Sequence, residues 1–102
     1  MTTVITLPRD FTGRHVARRL TTGITGTDIV IDAGAVTRHA TSAIDELVKQ
    51  LLNADVQRVI TVNAGPVFQR ALHVVHRART RPERTFLLTY REVPAEALLR
   101  AV

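Results

Sequence analysis

The sequence predicts an α/β fold: a single small domain, residues 1–102, with about four strands in a largely parallel or mixed sheet flanked by helices. Three observations carry this expectation. Asp28-Ile29-Val30-Ile31-Asp32-Ala33 is an apolar run between turn signals, as expected of a central strand covered on both faces. From Ser42 onward, Ile44, Leu47, Val48, Leu51 and Leu52 recur at the spacing of a helix laid on a sheet. Val56 to Asn63 reads as a further buried strand around Val59, Ile60 and Val62, and Gly65-Pro66 opens a helix directly after it. Strands that alternate with helices favour crossover connections and parallel pairing.

The other elements fall into place around these. Val4-Ile5-Thr6-Leu7 is β-branched and stops at Pro8, which suits an opening strand. Asp10 or Thr12 can cap a helix over 12–22, marked by Phe11, Val16, Ala17 and Leu20, with Gly13 weakening its first turn. The glycines of 22–27 and the segment 34–41 read as loops. In the helix opened by Pro66, the expected buried stripe is Val67, Phe68, Ala71, Leu72 and Val75, closed by Pro82. Thr85 to Tyr90 is a fourth strand, and Pro94 starts a short final helix carrying Leu98 and Leu99. The order is β-α-β-α-β-α-β-α, without repeats or a linker.

Composition narrows the chemistry. There is no cysteine, which excludes disulfides, thiolate metal sites and thiol nucleophiles. The opening Met1 to Thr6 alternates polar and apolar without early positive charge, so it does not read as a signal peptide. No apolar run approaches the roughly 20 residues that cross a bilayer. A cytoplasmic location with no membrane contact is the expectation. The net charge is +5, and Lys49 is the only lysine. Guanidinium groups bind carboxylates and phosphates in bidentate fashion, so an acidic partner is expected. A GC-rich genome that replaces lysine by arginine throughout would give the same composition.

Catalytic motifs are absent. The chain has no phosphate-binding Gly-x-Gly-x-x-Gly or Gly-x4-Gly-Lys loop and no Gly-x-Ser-x-Gly elbow. Asp45 and Glu46 are helical neighbours pointing about 100° apart, which rules out a converging carboxylate pair. Asp32 ends the central strand, where open α/β sheets place functional groups, but it equally suits a loop-amide acceptor. His73 and His76 share a helix at i, i+3 and lack a third metal ligand. No catalytic, cofactor or metal site is expected. On the polar face of that helix, Arg70, His73, Arg77 and Arg81 form a candidate docking strip, against the plainer reading of a solvated face with cations at the helix C-terminus.

The segment Ile29-Val30-Ile31-Asp32-Ala33-Gly34-Ala35-Val36-Thr37-Arg38-His39-Ala40-Thr41-Ser42-Ala43-Ile44-Asp45-Glu46-Leu47 resembles the STAS superfamily, named for sulfate transporters and anti-sigma factor antagonists. It is closer to a bacterial STAS-like family of unknown function, through Ser42, Asp45, Glu46 and Leu47. The strand ending at Asn63 and the glycine-opened helix extend the likeness over about residues 4–80. The resemblance implies a non-catalytic interaction module in a bacterial or bacteriophage regulatory setting, with a protein partner. In the anti-sigma antagonist branch, the residue matching Ser42 is phosphorylated, which makes Ser42 and Thr41 candidate phosphosites. Here Ala40 stands for the usual preceding acid and Ala43 for the following glycine. Ser42 also suits an N-cap, with Asp45 three residues on as in a capping box.

The expected contact surface is the loop 34–42, Asp45 and Glu46, and the arginine face. Opposite charge on the two helices also permits a homodimer. The alternative is a small basic nucleic-acid binder, whose affinity would fall steeply with salt. Nucleotide binding near Asp32 and Asn63 is a third expectation.

Overall fold

A computed structural model describes residues 2–94; the helix expected after Pro94, with Leu98 and Leu99, lies outside the described residues. The elements run β1 (Thr3–Thr6), β2 (Asp10–Phe11), α1 (Arg14–Leu20), β3 (Asp28–Asp32), β4 (Arg38–His39), α2 (Thr41–Asn53), β5 (Arg58–Val62), α3 (Pro66–Arg79) and β6 (Leu87–Arg91). The main sheet has the order β1-β3-β5-β6, and every pairing within it is parallel. β3 is therefore internal, as its sequence predicts.

Each crossover steps in the same direction across the sheet. Right-handed connections then place α1, α2 and α3 on one face, and α2 contacts both of its neighbours. The inner face contributes Ile5, Ile29, Ile31 and Val59 to the core, against Ile44, Leu47, Val48 and Leu51 of α2, all essentially sealed from solvent. Phe68, Leu72 and Val75 complete it from α3.

Among the described residues the helices cover only one face of the 29–33 strand, where cover on both was expected. Burial alternates along β3, with Ile29 and Ile31 buried and Val30 only half-buried. An uninterrupted apolar run looks the same in sequence whether one face or both are covered. On the second face Val4, Val30 and Ile60 share a row and are half-buried, while Leu87 is 61% exposed. Val62, in the last row of that face, is buried but stands outside the core cluster.

The strand ends carry a second, two-stranded parallel pairing of β2 with β4. This breaks up the 34–41 loop and delays α1, which starts at Arg14 because Gly13 is extended (φ −101°, ψ 142°). Thr12 hydroxyl donates to Asp10 at 2.7 Å, and neither side chain caps α1. Two-residue strands have no periodicity to read, which is why the sequence does not announce them.

Candidate functional site

In parallel sheets the helices start, and ligands gather, at the carboxyl ends of the strands. Here that edge collects the loop 33–40, the turn 63–65 and the N-termini of α2 and α3. Asp32 ends β3 by accepting a 2.9 Å hydrogen bond from the Gly34 amide, the loop-amide role open to it in sequence. A side chain at Gly34 would meet Asp32 Oδ1 at 3.2 Å and Asn63 Cβ at 3.4 Å, so it would press on the carboxylate that holds the turn. Asn63 takes a left-handed conformation (φ 58°). Its amide clamps Val93 from both sides, donating to the carbonyl at 2.9 Å and accepting from the N–H at 2.9 Å. Both residues of the expected nucleotide site are thus committed to holding loops.

The loop itself is pinned from below. Thr37 and Arg38 amides donate to the Arg9 carbonyl at 2.8 and 3.0 Å, and the Ala40 amide donates to Phe11 at 3.2 Å. Gly34, Ala35, Thr37 and Arg38 stay exposed, so the turn before α2 is offered to solvent as expected. Val36 and His39 fold inward, with His39 edge-on to Phe68 at a centroid distance of 5.3 Å. Together with Pro66, Val67 and Phe68 they line a groove of about 200 Å³ between this loop and the start of α3.

Ser42 is not the cap of α2. The helix begins at Thr41, the capping position is Ala40, and no side chain bonds there. Ser42 is the second helical residue, half-buried, and its hydroxyl donates to the Thr12 carbonyl at 3.2 Å, tying α2 to the segment before α1. Thr41 is exposed. The Ser42–Asp45 capping box does not form, because Asp45 turns instead to two arginines. Arg14 donates to it at 3.0 Å and Arg79 at 2.7 Å. The Arg79 hydrogen bond lowers the Asp45 carboxyl to about 2, with Arg14 adding to it against partial burial.

Glu46 is also withdrawn from the expected contact surface. It is 3% exposed and accepts from Gln50 at 2.7 Å and from Arg14 at 3.5 Å. The Gln50 hydrogen bond holds it below the usual glutamate range despite the opposing effect of burial. Asp45 and Glu46 therefore cross-link α1, α2 and α3 rather than face a partner. Neighbouring acids on one helix read alike from sequence whether they meet solvent or the adjacent helices.

α3 divides its cations. Arg79 belongs to the Asp45 bridge, and Arg81, expected on the polar face of this helix, lies beyond its end at Arg79 and donates to the Ala78 and Thr80 carbonyls at 3.2 and 2.8 Å. His76 bonds the Phe86 carbonyl at 2.9 Å and lies against the Phe86 ring. It is thus held away from any shared ligation with His73, and no metal-ligating cluster occurs among the described residues. Arg70, His73 and Arg77 remain exposed, and no ion pair engages them among the described residues. Val67, expected in the buried stripe, is 72% exposed, and Val74 is 59% exposed. Val67, Arg70, Val74 and Arg77 follow at i, i+3, i+7 and i+10, so one outer face of α3 alternates aliphatic and guanidinium groups. Val67 also forms the rim of the groove.

The aromatic rings are not placed for base stacking. Phe11, Phe68 and Phe86 are buried, and Tyr90 is half-buried with its hydroxyl donating to the Gln69 carbonyl at 3.3 Å. Among the described residues no helix is long and apolar enough to cross a membrane. A scan against protein-family models finds no matching family, and searches of curated proteins and of solved structures return no match.

Proposed function

We propose that this chain is a non-catalytic, STAS-like protein–protein interaction module, regulatory in role, that docks a bacterial protein partner through the outer face of α3 and the adjoining groove. The observation that carries the reading is the pair of exposed valines interleaved with arginines that no ion pair engages among the described residues. Val67 and Val74 lie exposed on the same line of α3 as Arg70 and Arg77, so an apolar contact and a charged one are presented side by side. Arg77 has a local explanation, since cations favour a helix C-terminus; Arg70 lies before the last turn and has none. The fitting partner is an amphipathic acidic segment. Its carboxylates meet Arg70 and Arg77, and an apolar side chain enters the groove beside Val36 and Phe68. The exposed loop at Thr37 and Arg38 extends the surface toward Thr41, where phosphorylation would add negative charge beside this basic face. The setting is cytoplasmic, in a bacterium or a bacteriophage.

The test compares the parent with a V74D/R70E/R77E variant in capture from bacterial lysate, followed by titration of the recovered partner in purified form. Loss of the partner on the variant, with unchanged circular dichroism, supports docking on α3. Equal capture by both chains removes this surface from the proposal. The basic strip also supports the nucleic-acid reading. Binding to DNA or RNA that weakens steeply with salt and disappears in the same variant, without any protein captured, would replace the docking proposal.

A further inference from the structure

The sheet face opposite the three helices carries a charge pattern that matches itself. In the first row, Asp28 of β3 stands beside Arg58 of β5 and Leu87 of β6. In the second, Val4, Val30, Ile60 and Thr89 lie across all four strands. In the last, Thr6, Asp32, Val62 and Arg91 follow. The acids are on β3 and the guanidiniums on β5 and β6, with an apolar row between. Asp28 and Arg58 are register partners, yet no ion pair joins them among the described residues.

We propose that this face binds a second copy of the chain, with a two-fold axis running parallel to the strands between β3 and β5. Such an axis exchanges the two halves of the sheet without changing row. Asp28 of each copy is then set against Arg58 of the other, and Val30 against Ile60. Val4 meets Thr89, and Arg91 falls over β1 beside Asp32. Because β3 and β5 are the two middle strands, the axis passes through the centre of the sheet and sets every strand over a strand of the other copy; Val62, already buried within one chain, adds nothing to the contact. The result is a face-to-face sandwich of aligned sheets. A two-fold along the perpendicular in-plane direction would instead set each strand against itself and reverse the rows. Asp28 would then face Asp32, so that arrangement is disfavoured.

The face is small. Four strands about 4.8 Å apart and five residues of about 3.3 Å each give roughly 300 Å² in plan, well under the roughly 800 Å² per partner of a standard interface. The dimer is accordingly a reversible one, with dissociation in the micromolar range. It uses the side of the sheet away from α3, so it stands or falls separately from the docking surface.

Sedimentation of the full chain over about 5–500 µM, a span set to bracket such affinities, should show a monomer–dimer equilibrium. D28R and R58D each put like charges opposite one another and should each sediment as monomers. An equimolar mixture of D28R with R58D restores opposite charges across the axis and should recover the dimer. A purely local effect of either substitution would not be rescued by mixing. A parent chain that stays monomeric over the whole range overturns the proposal. So do single variants that dimerise like the parent, or a mixture that remains monomeric.

Discussion

Replacing Asp45 by asparagine tests whether the Arg14–Asp45–Arg79 bridge holds the helical layer together. The carboxylate joins α2 to α1 and α3 at once. Its drop from an ordinary 3.8 to about 2 means the ionised form binds the folded protein more strongly than the neutral form, by at most about 2 kcal/mol. Asp45 is 23% exposed and Arg14 44% exposed, so solvent screening brings the expected contribution nearer about 1 kcal/mol. The sign follows from the lowered value. The stability is fully present above pH 4 and is lost as the pH falls from about 4 toward 2. Urea unfolding followed by circular dichroism at pH 7 should show D45N less stable by about 1–2 kcal/mol, since two guanidiniums are left facing each other. Between pH 4 and pH 2 the parent should lose its advantage over D45N. Equal midpoints at pH 7, with parallel declines in acid, would refute the structural role assigned to this carboxylate.

Four further outcomes are expected. Thr61 buries a hydroxyl with no hydrogen-bond partner among the described residues, so T61V should raise stability by about 1 kcal/mol in the same unfolding assay. Leu47 is fully buried beneath the sheet, and L47A should cost about 2–5 kcal/mol through the cavity it leaves. S42A should cost only about 0.5–1 kcal/mol, the worth of one bond to the Thr12 carbonyl; hydrogen exchange should quicken at that contact. At Asn63, N63G keeps the left-handed backbone while losing the Val93 clamp. N63A loses both and should be the less stable of the two by about 1 kcal/mol.

The parts of the fold legible in the sequence are those whose pattern burial itself imposes. The α2 stripe from Ile44 to Leu52 and the β3 and β5 runs were forced by a one-sided helix layer on a parallel sheet. Their ends were less legible. Ser42 is as good a cap as any side chain, but its hydroxyl finds Thr12 across the fold while Ala40 takes the capping position. Tertiary contact overrode a local preference there, as it did at Asp45, where two distant arginines displaced a capping box. The docking residues divide in the same way. Arg70, His73 and Arg77 face solvent as their helical phase predicts. Arg81 is consumed by the carbonyls at the end of α3. Val67 carried a readable signal, since it and Val74 share a phase apart from Phe68, Leu72 and Val75. The groove beside it depends on the β2–β4 pairing, whose two-residue strands leave no trace in the chain.

The two proposed surfaces constrain each other through the handedness of the fold. A four-stranded parallel sheet with sequential right-handed crossovers has all its crossover helices on one side, so α1, α2 and α3 and the opposite sheet face always look in opposite directions. If two copies meet through the face opposite the helices, the two α3 strips are carried to the outsides of the sandwich, separated by two sheets and two helical layers. One short segment cannot then reach both. A dimer would gain avidity only on a partner that presents its acidic segment twice, on an extended linker or on a symmetric assembly. Against a monovalent partner, the D28R chain and the parent should bind with the same affinity. Against a bivalent one, the parent should bind more tightly, and its advantage should vanish on dilution below the dimer's dissociation constant. A parent that keeps its advantage below that concentration would mean that the sheet face opposite the helices touches the partner directly.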